Sequence, residues 1–126
     1  MRLIRVYQCL CDPTRLRILH LLLGGPLCVC HLQAGLGEPQ VKISKHLFYL
    51  KKHGMVQMRK VGNWHVYRLP ARQTEELKAN LRCLQECAAK DRQFRSDMAK
   101  LKKLRQCGSA RQPMCAPATE KTRLVA

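Results

Sequence analysis

Acidic side chains are scarce in this chain. Eight Asp or Glu stand against 24 Lys or Arg in 126 residues, a formal net charge of +16. The shortage has a local form: from Pro39 to Thr74 there is no acid at all, while eight Lys or Arg occur. A merely solvated surface mixes both signs, so this balance suits a polyanionic partner, either nucleic acid or an anionic membrane. With so few carboxylates, no nucleophile–base–acid set stands out, and an enzyme is not indicated. Aromatic residues make up only 5% of the chain, which leaves aliphatic helix faces to build the core. Long apolar runs are missing too. ILHLLLGGPLCVC is interrupted by His20, Gly24, Gly25 and Pro26, short of the ~20 residues a spanning helix needs. The opening MRLIRVYQCLCDP does not read as a signal peptide, because Arg5 breaks its apolar stretch and no small-residue cleavage site follows. The expectation is a single domain in the cytoplasm, with no membrane association. In that reducing setting eight cysteines are not a disulfide framework, and closely spaced ones are candidates for metal or redox chemistry.

Hydrophobic spacing then orders the chain. Leu3, Val6, Tyr7 and Leu10 recur at helical intervals. Asp12-Pro13 reads as a helix start, an N-cap followed by a proline that has no N–H to leave unpaired. Leu16, Leu19 and Leu23 give the second helix its stripe, and Gly24-Gly25-Pro26 ends it. A third helix spans about 29–36, with Gly37 after it. In the fourth, Ile43, Leu47 and Leu50 form one apolar face, while Gln40, Lys42, Ser44, Lys45, Tyr49 and Lys52 carry polar groups on the other side. Such a pair of short helices reads as a helix-turn-helix. The period then changes to that of strands. MVQMRKV and WHVYRL flank Gly62-Asn63, a hairpin signal. That turn pairs Val56 with Leu69 and Met58 with Tyr67 on a core face, and Gln57 with Arg68 and Arg59 with Val66 on a cationic face, forming a wing. Afterwards Leu77, Leu81, Leu84 and Ala88 form a helical stripe, which Phe94, Met98 and Leu101 continue or replace with another helix, and Gly108 is a plausible stop. The expected order is α-α-α-α-β-β-α, a mainly α winged helix-turn-helix in a dimer, over residues 1–106. Residues 107–126 read as a disordered basic tail.

DPTRLRILHLLL, LCVC, SKHLFYLKKHGMV and GNWHVYRL, in that order, resemble the ArsR/SmtB repressors. LCVC before the helix-turn-helix resembles the arsenical-resistance branch in particular. The resemblance runs over roughly residues 3 to 88. It implies a homodimer that binds an inverted-repeat operator in double-stranded DNA, with the first helix and the helix after the wing at the dimer interface. Ion binding then lowers operator affinity. By position, Gln40, Lys42, Ser44, Lys45 and His46 face DNA, and Tyr49, Lys51, Arg59, Lys60 and Arg68 extend the same cationic surface. The best-known arsenical repressors carry an acid directly after the second cysteine and a third cysteine three residues after the second. Here those positions hold His31 and Gln33.

Cys28 and Cys30 are thus the leading ligands. Thiolates select soft ions. By the resemblance the ion is trivalent arsenic, arsenite or an organoarsenical, acting as inducer. Arsenite favours three sulfurs, whereas an organoarsenical with one carbon on arsenic needs only two. In a regular helix, residues i and i+2 point ~200° apart, so the pair can grip one ion only at a frayed helix start or in extended chain. A helix beginning near Cys28 would then unwind on binding. Cys83 and Cys87, at i and i+4, could supply a third sulfur or simply pack a dimer interface. Cys9 and Cys11 can be core, and Cys107 and Cys115 fall in or near the tail. His31 is a ligand, a donor to a ligand or an exposed polar residue. Cadmium, lead or zinc sensing, redox sensing and constitutive DNA binding are the competing functions.

Overall fold

The computed structural model describes residues 2–111, with side chains through Arg105. Helices α1 (Arg2–Leu10) and α2 (Pro13–Leu22) are followed by a two-residue strand, β1 (Leu27–Cys28). Next come α3 (Val29–Leu36) and α4 (Gln40–Lys52), then the hairpin β2 (Gln57–Val61) and β3 (Trp64–Arg68). Two helices, α5 (Glu75–Ala88) and α6 (Arg92–Arg111), complete the described chain.

Local chemistry explains the boundaries. Asp12 caps α2 by accepting the Arg15 N–H at 3.1 Å, with Pro13 in the first turn. Thr74 caps α5 through the Leu77 N–H at 3.2 Å. The hairpin keeps the expected register, Gln57 opposite Arg68, Met58 opposite Tyr67 and Arg59 opposite Val66. Gly62 takes φ 59° at the first turn position, the conformation a type II′ hairpin asks of glycine.

The core is aliphatic. Ile18, Leu21, Leu32, Ile43, Leu47 and Leu50 are fully buried, joining α2, α3 and α4. Val6 and Cys9 attach α1, while Leu77, Leu81 and Leu84 attach α5. Burial on this scale stabilises each large aliphatic side chain by ~1.5–3 kcal/mol relative to exposure.

Several details differ from the sequence reading. Two helices follow the wing where the expected order ended in one, and of the two readings left open for Phe94, Met98 and Leu101 the separate helix holds: Ala89, Lys90 and Asp91 form the break, and Asp91 accepts the N–H groups of Gln93 and Phe94 at 2.8 and 3.2 Å to start α6. The α6 helix runs through Gly108, the expected stop, to Arg111, so the first part of the expected tail has helical backbone. Residues 112–126, including Cys115, lie outside the described residues. Strand β1 was not foreseen. It pairs with β3, Leu27 opposite Tyr67 and Cys28 opposite Val66. That third strand explains why Val66, assigned to the cationic face, is buried. On α1, Leu3 and Tyr7 of the helical stripe are exposed, and so is Ile4 beside them.

Helix α6 lies against α3. Gly35 allows the approach: a Cβ there would stand 3.3 Å from Leu21 Cδ1 and 3.6 Å from Leu101 Cβ. An ion pair fixes it. Arg17 of α2 donates to both Asp97 oxygens at 2.8 and 2.9 Å and to the Leu36 carbonyl, at the end of α3, at 2.8 Å. Gln93 adds a bond to Asp97 at 2.9 Å.

Candidate sensor site and nucleic-acid interface

Cys28 holds three positions at once. It ends β1, pairs with Val66 of the wing strand, and is the N-cap of α3 with an extended backbone, φ −83° and ψ 165°. Because Cys28 lies before the helix and Cys30 in its first turn, the rule that i and i+2 diverge does not apply. The ligand atoms of Cys28, Cys30 and His31 all lie within 4.8 Å of one another. Of the two settings in which the spacing lets the pair meet, the chain uses extended backbone at the helix start, so the sulfurs converge with α3 intact. Of the readings open for His31, the exposed polar residue is excluded: it is 4% exposed, and its Nδ1 stands 3.1 Å from Cys28 Sγ. Both belong to a spacing the sequence contained, since an N-cap residue and the third helical residue after it face each other.

The electrostatics favour a thiolate. A hydrogen bond from the Cys30 thiol is the largest influence on Cys28; burial opposes it, and the His31 ring reinforces it. Together they draw the Cys28 thiol down from its ordinary 9 to about 4. Cysteines at helix N-termini show this behaviour because N–H groups and the helix dipole stabilise negative sulfur. Thiolate is the form that binds soft ions and the form that oxidises.

The pair opens on a cleft of about 280 Å³. Cys28, Cys30 and Gln33 line one side, with Gln40 of α4 and Asn63, Trp64 and His65 of the wing tip across from them. One small cavity thus touches the thiols, the first residue of the recognition helix and the wing. Among the described residues, Cys83 and Cys87 are not part of the Cys28 cluster. Both are exposed on α5, and their hydrogen bond to each other raises the Cys83 pKa. Cys9 is buried, and Cys11 is exposed with its thiol bonded to the Gln8 carbonyl at 3.2 Å.

Helix α4 presents Gln40, Lys42, Ser44, Lys45 and Lys51 to solvent, and the wing presents Arg59 and Lys60. Lys42 is engaged by Glu38 at 2.6 Å. Arg68 is half-buried and joins Lys51 and Arg59 in lining a groove between the end of α4 and the wing. His46 and Tyr49 turn toward α2. His46 stands 3.8 Å from Asp12, and Arg15 lies 4.3 Å from the centre of the Tyr49 ring. Arg15 also donates to the Cys9 and Gln8 carbonyls at 2.8 and 3.0 Å, tying the end of α1 to the recognition helix. The sequence reading passed over Arg15, since one arginine in a basic chain carries no signal of its role. It also passed over Val41 and Phe48, which α4 exposes alongside its cations.

None of the described helices is long and apolar enough to cross a membrane. Residues 12–58, from the cap of α2 into the wing, match the bacterial regulatory proteins of the arsR family. The arsenical resistance operon repressor of Escherichia coli is 42% identical over 88 residues, covering 66% of this chain and 75% of that protein. The arsenic resistance regulator ArsR2 of Pseudomonas putida is 45% identical over 65 residues, covering 51% of this chain and 56% of its own length. A homodimeric winged helix-turn-helix DNA-binding domain from Mycobacterium bovis superposes with a TM-score of 0.59 at 28% identity, over 70% of this chain and 79% of that one. The match follows the element order built above, from the capped α2 through the cysteine pair and recognition helix to the wing, and on this basis the chain belongs to the ArsR family of bacterial transcriptional regulators.

Proposed function

We propose that the chain is a homodimeric, cytoplasmic repressor that leaves its operator when trivalent arsenic binds the thiolates of Cys28 and Cys30. As an ArsR-family regulator it is a DNA-binding transcription factor and not an enzyme. One observation carries the finer reading. Cys28 belongs to the thiol cluster and to the wing sheet at the same time.

The chain's own residues supply the switch. His31 and Cys30 hold Cys28 as thiolate, ready for a soft ion. A ligand bridging both sulfurs pulls on β1, and β1 is bonded to β3 of the wing. Any remaining substituent on the ligand enters the cleft, between Gln40 and Trp64. The bound state then disfavours the wing and helix placement that fits DNA. A differential affinity of ~1–3 kcal/mol changes operator binding about 5–150-fold. On the DNA-bound side, Gln40, Ser44 and Lys45 meet the groove, while Lys51, Arg59, Lys60 and Arg68 attract phosphates. A second copy covers the exposed Leu3, Ile4 and Tyr7 of α1, and the resulting two-fold axis calls for an inverted repeat.

The buried His31 favours a second reading. Two sulfurs and one imidazole suit zinc or cadmium. X-ray absorption at the arsenic edge distinguishes the two. The arsenic reading expects at least two sulfurs in the wild type and their loss in Cys28→Ser/Cys30→Ser. Retention of three sulfurs in that double variant would refute it. Loss of one sulfur in Cys83→Ser or Cys87→Ser would identify the third ligand, donated from α5. Zinc or cadmium that binds tightly and displaces DNA, with arsenite inert, would favour the second reading.

A further inference from the structure

Val41 is 70% exposed and Phe48 is 69% exposed, both on the recognition helix. At ~100° per residue, Val41, Ser44, Lys45, Phe48 and Lys52 fall on one side of α4. The buried Ile43, Leu47 and Leu50 hold the opposite side. Gln40, Val41, Ser44, Lys45 and Phe48 together line a shallow open depression. The apolar pair therefore has no role in the core of this chain.

The surroundings point to what covers it. No acid occurs between Pro39 and Thr74, and Lys42, Lys45, Lys51 and Lys52 are all exposed on the same helix. An occupant must then be anionic overall and still offer apolar groups at the helix surface. Duplex DNA meets both conditions. In its major groove the thymine 5-methyl is the apolar mark of an A·T pair, and short aliphatic or aromatic side chains recognise it by contact. A lipid bilayer or an acidic protein offers no such register with a single helix.

We propose that Val41 and Phe48 read thymine methyl groups in the operator, with Ser44 and Lys45 between them bonding base edges or phosphates. Residues seven apart on a helix are ~10.5 Å apart along its axis. A helix lying along the groove therefore places the two contacts about three base pairs apart, at ~3.4 Å per pair. The assignment depends on DNA binding alone and not on the identity of the inducer.

The test uses the full chain and an operator selected from random duplexes. Each thymine of a half-site is replaced in turn by deoxyuridine, which removes only the methyl. Wild type is expected to lose about fourfold in affinity at each of two thymines, the loss that one methyl-sized group contributes. Phe48→Ala and Val41→Ala should each become indifferent to uracil at one of those positions while keeping the penalty at the other. Both variants should keep the wild-type salt slope, because no phosphate contact is lost. Equal thermal unfolding of the two variants and wild type shows that the fold is kept. An operator with no uracil-sensitive thymine, or penalties that persist unchanged in both variants, would overturn the proposal and leave the stripe to a protein or lipid partner.

Discussion

Replacing Asp97 with alanine removes the acceptor that locks α6 onto α2 and α3. In the folded chain the Asp97 carboxylate is 0% exposed and takes three donors, two from Arg17 and one from Gln93. Breaking one side of a buried ion pair costs about 3–5 kcal/mol, because the surviving charge stays desolvated. Here the Arg17 side chain is 15% exposed and keeps its bond to the Leu36 carbonyl. The loss therefore belongs at the lower end, about 3 kcal/mol. For a domain of this size it lowers Tm by roughly 10–20 °C. The assay is thermal unfolding at one fixed protein concentration, since a dimer's apparent stability varies with concentration. Arg17→Met/Asp97→Leu should recover most of the loss, because apolar pairs replace buried ion pairs at little expense. An Asp97→Ala variant within about 0.5 kcal/mol of wild type, the range of ordinary surface substitutions, would show that the ion pair does not hold α6.

Other expectations follow from the same contacts. Asp12→Ala removes the α2 cap and should destabilise by about 0.5–2 kcal/mol. Burial raises the Asp12 pKa, but the Arg15 N–H and the His46 and Arg15 charges outweigh it and leave it lowered. Its contribution is thus full above the usual carboxylate range and lost as pH falls through the lower folded value, so the acid limb should flatten in Asp12→Asn. At His20 burial acts in the other direction and lowers the pKa, with Asp97 opposing. Stability should therefore decline as pH falls below ~6.5, and His20→Phe should reduce that slope in pH-dependent denaturation. Gln40→Ala should relax operator preference, whereas Lys51→Ala should weaken all sequences alike and reduce the salt slope by ~0.9. Equal losses on operator and random duplexes for both variants would refute that division.

The elements that sequence made legible are those with strong local signals. Asp12-Pro13, Gly37 and the Gly62-Asn63 turn placed α2, the end of α3 and the hairpin register within a residue or so, because each signal acts on its own backbone. The features it missed or left open depend on distant partners. Strand β1 exists because Leu27 and Cys28 meet β3, some 40 residues on. Helix α6 is separate from α5 because Asp91 caps it and Asp97 finds Arg17, neither of which changes the apolar period. At the candidate site, the CxC spacing drew attention to a pair whose side chains would diverge inside a helix and meet only at a helix start or in extended chain. Which of these holds depends on where α3 begins: Cys28 lies just outside it, and that placement also turns His31 inward. Val41 and Phe48 carried no assignment in the sequence, and the three-dimensional arrangement shows them exposed opposite the buried face of α4.

Operator release is the most direct test of the central claim. Labelled operator bound to full-length protein is titrated with arsenite, in wild type, Cys28→Ser, Cys30→Ser and the double variant, with salt and protein concentration fixed. The account predicts a wild-type affinity loss of about 5–150-fold, with all variants binding operator normally but failing to respond. An arsenite response that persists in the double variant, or a wild type that ignores arsenite while binding operator tightly, would contradict it.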